Sequence, residues 1–289
     1  MKRFFFNHLM LAGVVSLCVA CGGKTAPAEG MPQDSADQES VEGFYSSTGS
    51  QEADAAGKQQ RMAKMPIEQP APMKGVSEQI LRRKAYITSY NKDTKIPNWV
   101  AWHLTSGHTR GNLQRHENMF HEDMDVKTGR VTDADYYNSG YDRGHMCPAG
   151  DNKWDRQAMN ETFLFTNICP QIHALNEGPW NDLELACRRW AQKYGDIYIV
   201  CGPLLSDGNH RTIGKNRVVV PERFFKVILC LQDKPKAIGF IYDNNSHNSH
   251  KMFSHATNVD EIERLTGIDF FPAVDDKIEN VVEAERGYF

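Results

Sequence analysis

Apolar and polar positions along the chain change their period from block to block, and each period predicts an element. Trp99-Val100-Ala101-Trp102-His103-Leu104 is a run of aromatic and β-branched residues, which predicts a strand. His103 within it reads as a satisfied strand histidine. Residues 107–135 lose the pattern and read as loop. From Pro179 onward Leu183, Cys187, Trp190 and Tyr194 recur at helical spacing, with Gly195 as the stop signal. Ile197-Tyr198-Ile199-Val200 follows as a buried strand. Val218-Val219-Val220-Pro221, Phe224 to Leu229 and Lys236 to Tyr242 predict three more. Asn258 with Glu261 three residues later is an N-cap pattern, and Gly267 closes that helix. Strands outnumber helices and are mostly sequential. The expected architecture is α+β, a central, largely antiparallel sheet flanked by helices.

The N-terminal part obeys other rules. Lys2 and Arg3 precede an apolar run, Leu9 to Ala20, that is too short for a stable membrane-spanning helix. Leu17-Cys18-Val19-Ala20-Cys21 resembles a bacterial lipobox, departing from it in carrying Cys18 where Leu is commonest. Residues 1–20 are therefore expected to be a lipoprotein signal peptide, with a lipid anchor on Cys21 holding the chain at the cell envelope. Two or more acyl chains give stable attachment where one is marginal. Gly22 in place of Asp points to the outer membrane, by resemblance to known sorting patterns. An ordinary cleaved secretory signal ending near the same place is the alternative. Residues 21–75 are rich in Gln, Ser, Ala, Pro and acids, with few large apolar side chains, and read as a disordered tether. Residues 76–289 remain, a length suited to one α/β domain.

Charge narrows the partners. With 33 Lys+Arg against 37 Asp+Glu, the balance argues against wholesale electrostatic adhesion to nucleic acid, and any basic surface has to be local. Export favours disulfides, and Cys147, Cys169, Cys187, Cys201 and Cys230 leave at least one thiol over. A Cys147–Cys169 bridge would brace the polar segment described next. A zinc site built from His145, Cys147, Cys169 and His173 fits no compact finger spacing.

The densest polar chemistry lies between residues 141 and 184. Tyr141-Asp142-Arg143-Gly144-His145 is followed by Asn167, then Asn176, then Trp180-Asn181-Asp182-Leu183-Glu184. A packed core would not explain such a set. A neutral imidazole takes a proton from water near pH 7, an Asn carbonyl is a hard oxygen ligand, and a guanidinium fits a phosphate. The combination reads as a metal-assisted phosphodiesterase site. Asp142 reads as a turn-positioning residue, and Trp180 and Trp190 as core. Lys215 and Arg217 read as a charged strand edge, and His247, His250 and His255 as a solvated loop.

Tyr141-Asp142-Arg143-Gly144-His145-Met146, Asn167-Ile168-Cys169-Pro170-Gln171, Asn176-x-x-x-Trp180-x-x-Leu183-Glu184 and Ile213-Gly214-Lys215-Asn216 through Phe224-Phe225-Lys226-Val227 occur in that order. Together they resemble the DNA/RNA non-specific endonucleases of the ββα-metal superfamily, over roughly residues 85–272. The resemblance implies a ββα-metal finger holding the active site. It implies His145 as general base, Asn176 as the direct ligand of Mg²⁺ (Mn²⁺ being the other oxygen-seeking candidate), and Glu184 as holder of metal-bound water. Asn167 and Arg143 would support the site. Arg115 is the best match for the family's upstream phosphate-binding arginine, with Arg110 as the alternative. DNA and RNA would be the substrates, 5′-phosphate ends the product, and a homodimer the assembly common among related enzymes. A catalytically silent nucleic-acid-binding lipoprotein on the same scaffold is the competing expectation.

Overall fold

The computed structural model describes residues 64–116 and 119–289. The signal-like segment, Cys21 and the tether as far as residue 63 lie outside the described residues. Among the described residues no helix is long and apolar enough to cross a membrane.

Seven strands form one antiparallel sheet: β1 (Gln79–Arg82), β2 (Ile87–Asn91), β3 (Ile96–Thr105), β6 (Asp196–Leu204), β9 (Arg223–Cys230), β10 (Lys236–Asp243) and β11 (Ala256–Thr257), in that spatial order. The α+β expectation therefore holds. The strands alternate large apolar residues toward both faces, so each face carries its own core. Val100, Trp102, Leu104, Ile199, Phe224 and Phe240 line the near face. Trp99, Ala101, Val200, Phe225 and Val227 line the far one. The long helix α4 (Pro179–Tyr194) covers the near face through Leu183, Cys187 and Trp190. It starts at Pro179 and stops at Gly195, whose φ of 96° a side chain would resist. On the far face α5 (Val259–Thr266) buries Val259 and Ile262, and α6 (Asp276–Ala284) buries Val282. Asn258 caps α5 by accepting from Glu261 N at 3.2 Å, and Gly267 ends it with φ 67°.

Between β3 and α4 the chain builds a smaller unit on the near face. It contains α1 (Asp133–Tyr136), strand β4 (Asp142–His145), α2 (Arg156–Glu161), strand β5 (Ile168–Gln171) and the short helix α3 (His173–Asn176). β4 and β5 pair antiparallel, with Gly144 opposite Cys169 and His145 opposite Ile168. This hairpin and the helices after it are the ββα unit.

Three expectations need correction. The tether expected to run through residue 75 ends earlier: Gln69 and Ala71 are buried, Ile67 and Met73 pack on the far-face core, and Ala71 N donates to Asp269 O at 2.9 Å. Four apolar or amide side chains that are buried or packed on the core suffice to order a segment whose composition looks disordered. The strand expected over residues 218–221 shrinks to β8 (Val218–Val219), paired with β7 (Thr212–Ile213) outside the main sheet. All five described cysteines are free and buried in the near-face core. Cys147 Sγ takes a contact from Asn152 Nδ2 at 3.4 Å and Cys201 Sγ donates to Met146 O at 3.3 Å, so these thiols serve as small core groups and no Cys147–Cys169 bridge forms.

Candidate active site

One open cleft of about 610 Å³ gathers most of the polar segment. Its walls include Arg115, Phe120, Arg143, His145, Asn176 and Glu184, with Tyr141, Asp142, His173 and Asn181 beside them. Five of the six expected site residues thus share one cleft although they are up to 69 positions apart in the chain. Asn167 lies beneath it. Arg110 is not among the lining residues and ends a separate 3-10 turn.

His145 is presented by the backbone around it. It ends β4, where Trp180 Nε1 reaches its carbonyl at 3.4 Å and Met146 N donates to Asn167 O at 3.0 Å. Asn167, fully buried, clamps the next turn. Its Oδ1 accepts from Cys147 N at 2.9 Å while its Nδ2 donates to Cys147 O and Thr162 O at 2.9 and 2.8 Å. Asn167→Ala leaves three buried backbone groups unpaired, each costing about 1 kcal/mol or more. The expected result is a fall of roughly 6–12 °C in Tm for a chain of this size, read by circular dichroism. An unchanged Tm would remove Asn167 as the clamp. Gly144, one residue before the histidine, sits so close to the Gln171 side chain that a Cβ would collide with it. That is why the hairpin carries glycine there.

The imidazole packs edge-on to Phe163 at 4.9 Å and tilted against Phe120 at 5.3 Å, and its Nε2 makes no hydrogen bond. Burial, with the Arg115 guanidinium adding repulsion, holds its pKa down at about 3. It is therefore neutral at physiological pH.

Asn176 closes α3, three residues before the long helix α4 begins at Pro179. Its Nδ2 donates to Asp142 Oδ2 at 2.9 Å. A carboxylate only accepts, so the amide nitrogen is committed and the carbonyl oxygen is the free end. Asp142 also meets His173 Nδ1 at 2.8 Å. Its part is to orient Asn176 across the hairpin, more than the turn-positioning role its place in the sequence implied. Opposite, Glu184 on α4 is mostly buried, its side chain 12% exposed. Burial raises its pKa, while Lys226 and then Arg188 pull it down. Arg188 Nη1 lies 4.0 Å from Glu184 and 2.7 Å from the buried Asp151, whose other oxygen accepts from Trp102 Nε1. Lys226, on β9, is wholly buried with its Nζ 4.2 Å from the Trp180 ring centre.

Arg143 crosses the cleft rim, paired with Asp133 at 2.6 Å and lying over the Phe120 and Tyr136 rings. Arg115 lies over Phe163. Two guanidiniums at one cleft supply the local basic surface that the whole chain's charge denies. Arg188 was not singled out from the sequence, and Asp142 and Lys226 were named there without a part in the chemistry of the cleft. Lys226 had a visible signal: it occupies the same inward-facing phase as Phe224 and Ile228 in an otherwise apolar strand.

The chain is similar to known proteins over about two thirds of its length. The mitochondrial nuclease EXOG of Danio rerio is 38% identical over 204 residues, covering 65% of this chain and 60% of the relative. Nuclease C1 of Cunninghamella echinulata var. echinulata is 35% identical over 216 residues, covering 70% of this chain and 86% of the relative. The chain spans 55–60% of the length of the EXOG relatives it matches. The crystal structure of EndoG in complex with EndoGI superposes with a TM-score of 0.64 at 29% identity, over 70% of this chain and 89% of that one. The family model for DNA/RNA non-specific endonucleases matches residues 66–277, which includes every residue of the cleft, and the chain belongs to that family.

Proposed function

We propose that this protein is a metal-dependent endonuclease that hydrolyses phosphodiester bonds of DNA and RNA with little regard to sequence, leaving 5′-phosphate ends. The observation that carries the reading is the convergence of a neutral imidazole, a free carboxamide oxygen, a carboxylate and two guanidiniums on one cleft. Oxygen donors of this type suit Mg²⁺, which keeps most of its own waters and takes few protein ligands. Asn176 Oδ1 would hold the ion directly and Glu184 through water. When bound, the ion supplies Lewis-acid stabilisation of charge growing on the phosphate oxygens.

The chain's own groups do the rest. His145, unprotonated, takes a proton from the attacking water. Phe120 and Phe163 fix its ring plane. Arg115 and Arg143 attract and orient the phosphodiester, whose backbone charge carries no base identity, so sequence preference stays small. Asp142 holds the Asn176 amide nitrogen, which would leave the carbonyl oxygen available to the ion.

The direct test is cleavage of plasmid DNA and of structured RNA by the full chain with Mg²⁺ and with EDTA. Cleavage in the first condition alone is expected, with ends that ligate without prior phosphorylation. Binding without cleavage would instead establish the silent nucleic-acid-binding alternative.

The pH dependence has a defined sign. A base whose pKa is depressed stays active as pH falls through 6.5, the ordinary histidine value, so the acid limb of kcat/KM for the free enzyme should lie below 6.5. Arg115→Gln removes a repulsive charge and should raise the His145 pKa toward 6.5, read by NMR titration of the ring. No upward movement would show that burial alone sets it.

A further inference from the structure

The far face of the sheet, opposite the cleft, carries a second cluster of oxygen ligands. Asp260 and Glu263 stand one turn apart on α5, and Glu283 comes from the last turn of α6; one oxygen from each lies within 4.8 Å of the other two. Oxygens bound around a Ca²⁺ ion at about 2.4 Å are separated by at most about 4.8 Å, twice that radius, so the set meets the distance condition for sharing one Ca²⁺ ion. Mg²⁺ demands a tighter octahedron and dehydrates reluctantly, which favours Ca²⁺ for an all-carboxylate cage.

Glu283 supplies the independent indication. It is only 6% exposed and its Oε1 has no hydrogen-bond partner. Beyond burial itself, the strongest electrostatic influences on it come from carboxylates: Glu263, Glu279, Asp260 and Asp269. It also sits at the negative end of the α6 dipole, where a cation is welcome and an anion is not. A buried carboxylate without a counter-charge is costly, and protein sites meet that cost with a partner or a metal.

The surrounding structure gives such an ion a purpose. Of the nine residues of α6 only Val282 and Glu283 are buried, while Val281 is 55% exposed. Apolar packing therefore holds this helix weakly. Asn258 Nδ2 ties the start of α5 to Ala284 O at 3.0 Å, so the two helix ends are already adjacent. Asp260 is exposed and gives an ion access from solvent.

We propose that Asp260, Glu263 and Glu283 form a structural Ca²⁺ site that fastens the C-terminal helix α6 to α5, separate from the catalytic cleft. Water would complete the coordination shell. Burial and the neighbouring acids push Glu283 up to about 9, so the competing state is a shared proton in place of the ion.

Thermal unfolding of the full chain, with Ca²⁺ titrated calorimetrically, decides between them. Wild type and Asn176→Ala, which alters only the cleft, should each gain about 5 °C or more at a hundredfold excess of Ca²⁺ over its Kd. Glu283→Gln, close in shape to the protonated acid, and Asp260→Asn, at an exposed position, should each lose that gain while keeping Mg²⁺-dependent cleavage. No gain in wild type, an undiminished gain in both carboxylate variants, or its loss in Asn176→Ala would overturn the site. None of these outcomes bears on whether the cleft cuts nucleic acid.

Discussion

His145→Ala is expected to lower kcat/KM for plasmid cleavage by at least about a hundredfold, the lower range for removal of a general base. The reasoning is local. Under the proposed function the imidazole is the cleft's proton acceptor, kept neutral by burial and by Arg115, and no other group lining the cleft is an imidazole packed against two phenyl rings. His173 also lines the cleft, but it is solvent-exposed and its Nδ1 is engaged by Asp142, so it cannot substitute. Alanine also leaves space beside Phe163, so His145→Gln should be measured alongside it. That variant fills more of the volume and should lose activity equally. Turnover near wild type in both would end the base assignment.

Asn176→Ala is expected to raise the Mg²⁺ concentration for half-maximal activity by about a hundredfold or more, since outer groups that merely orient a ligand already cost 10–100-fold. Asp142→Ala supplies that smaller comparison. It frees the Asn176 amide to rotate, and should shift the same midpoint by roughly tenfold or more without abolishing the plateau rate. Equal Mg²⁺ midpoints in wild type and Asn176→Ala would show that the ion is held elsewhere in the cleft.

Much of the scaffold was legible along the chain because local signals agreed with the final packing. Pro179 and Gly195 bound a helix whose apolar stripe is the face it buries, and Asn258 and Gly267 do the same for α5. The strands β3, β6, β9 and β10 are apolar on both sides because both faces of the sheet are covered. β1 and β2 were missed: β1 is short and mixed in polarity, and β2 buries Thr88, Ser89 and Asn91 against its neighbours. Val218 to Pro221 misled in the other direction, since an apolar run carries no mark of which edge, if any, it will join.

The residue types alone determined the chemistry on offer: an imidazole, a carboxamide oxygen, a carboxylate and arginines in a fixed order, on a chain too evenly charged to bind polyanions over its whole surface. Only the folded arrangement decided that Asp142 aims the Asn176 amide, that Lys226 lies buried beside Glu184, that five cysteines remain thiols and that three acids from two far-face helices meet. Asp142 and Asn176 are 34 residues apart in the chain, Glu184 and Lys226 42, and Asp260 and Glu283 23. Periodicity reports which face of an element is buried, and says nothing about which distant face it will be buried against.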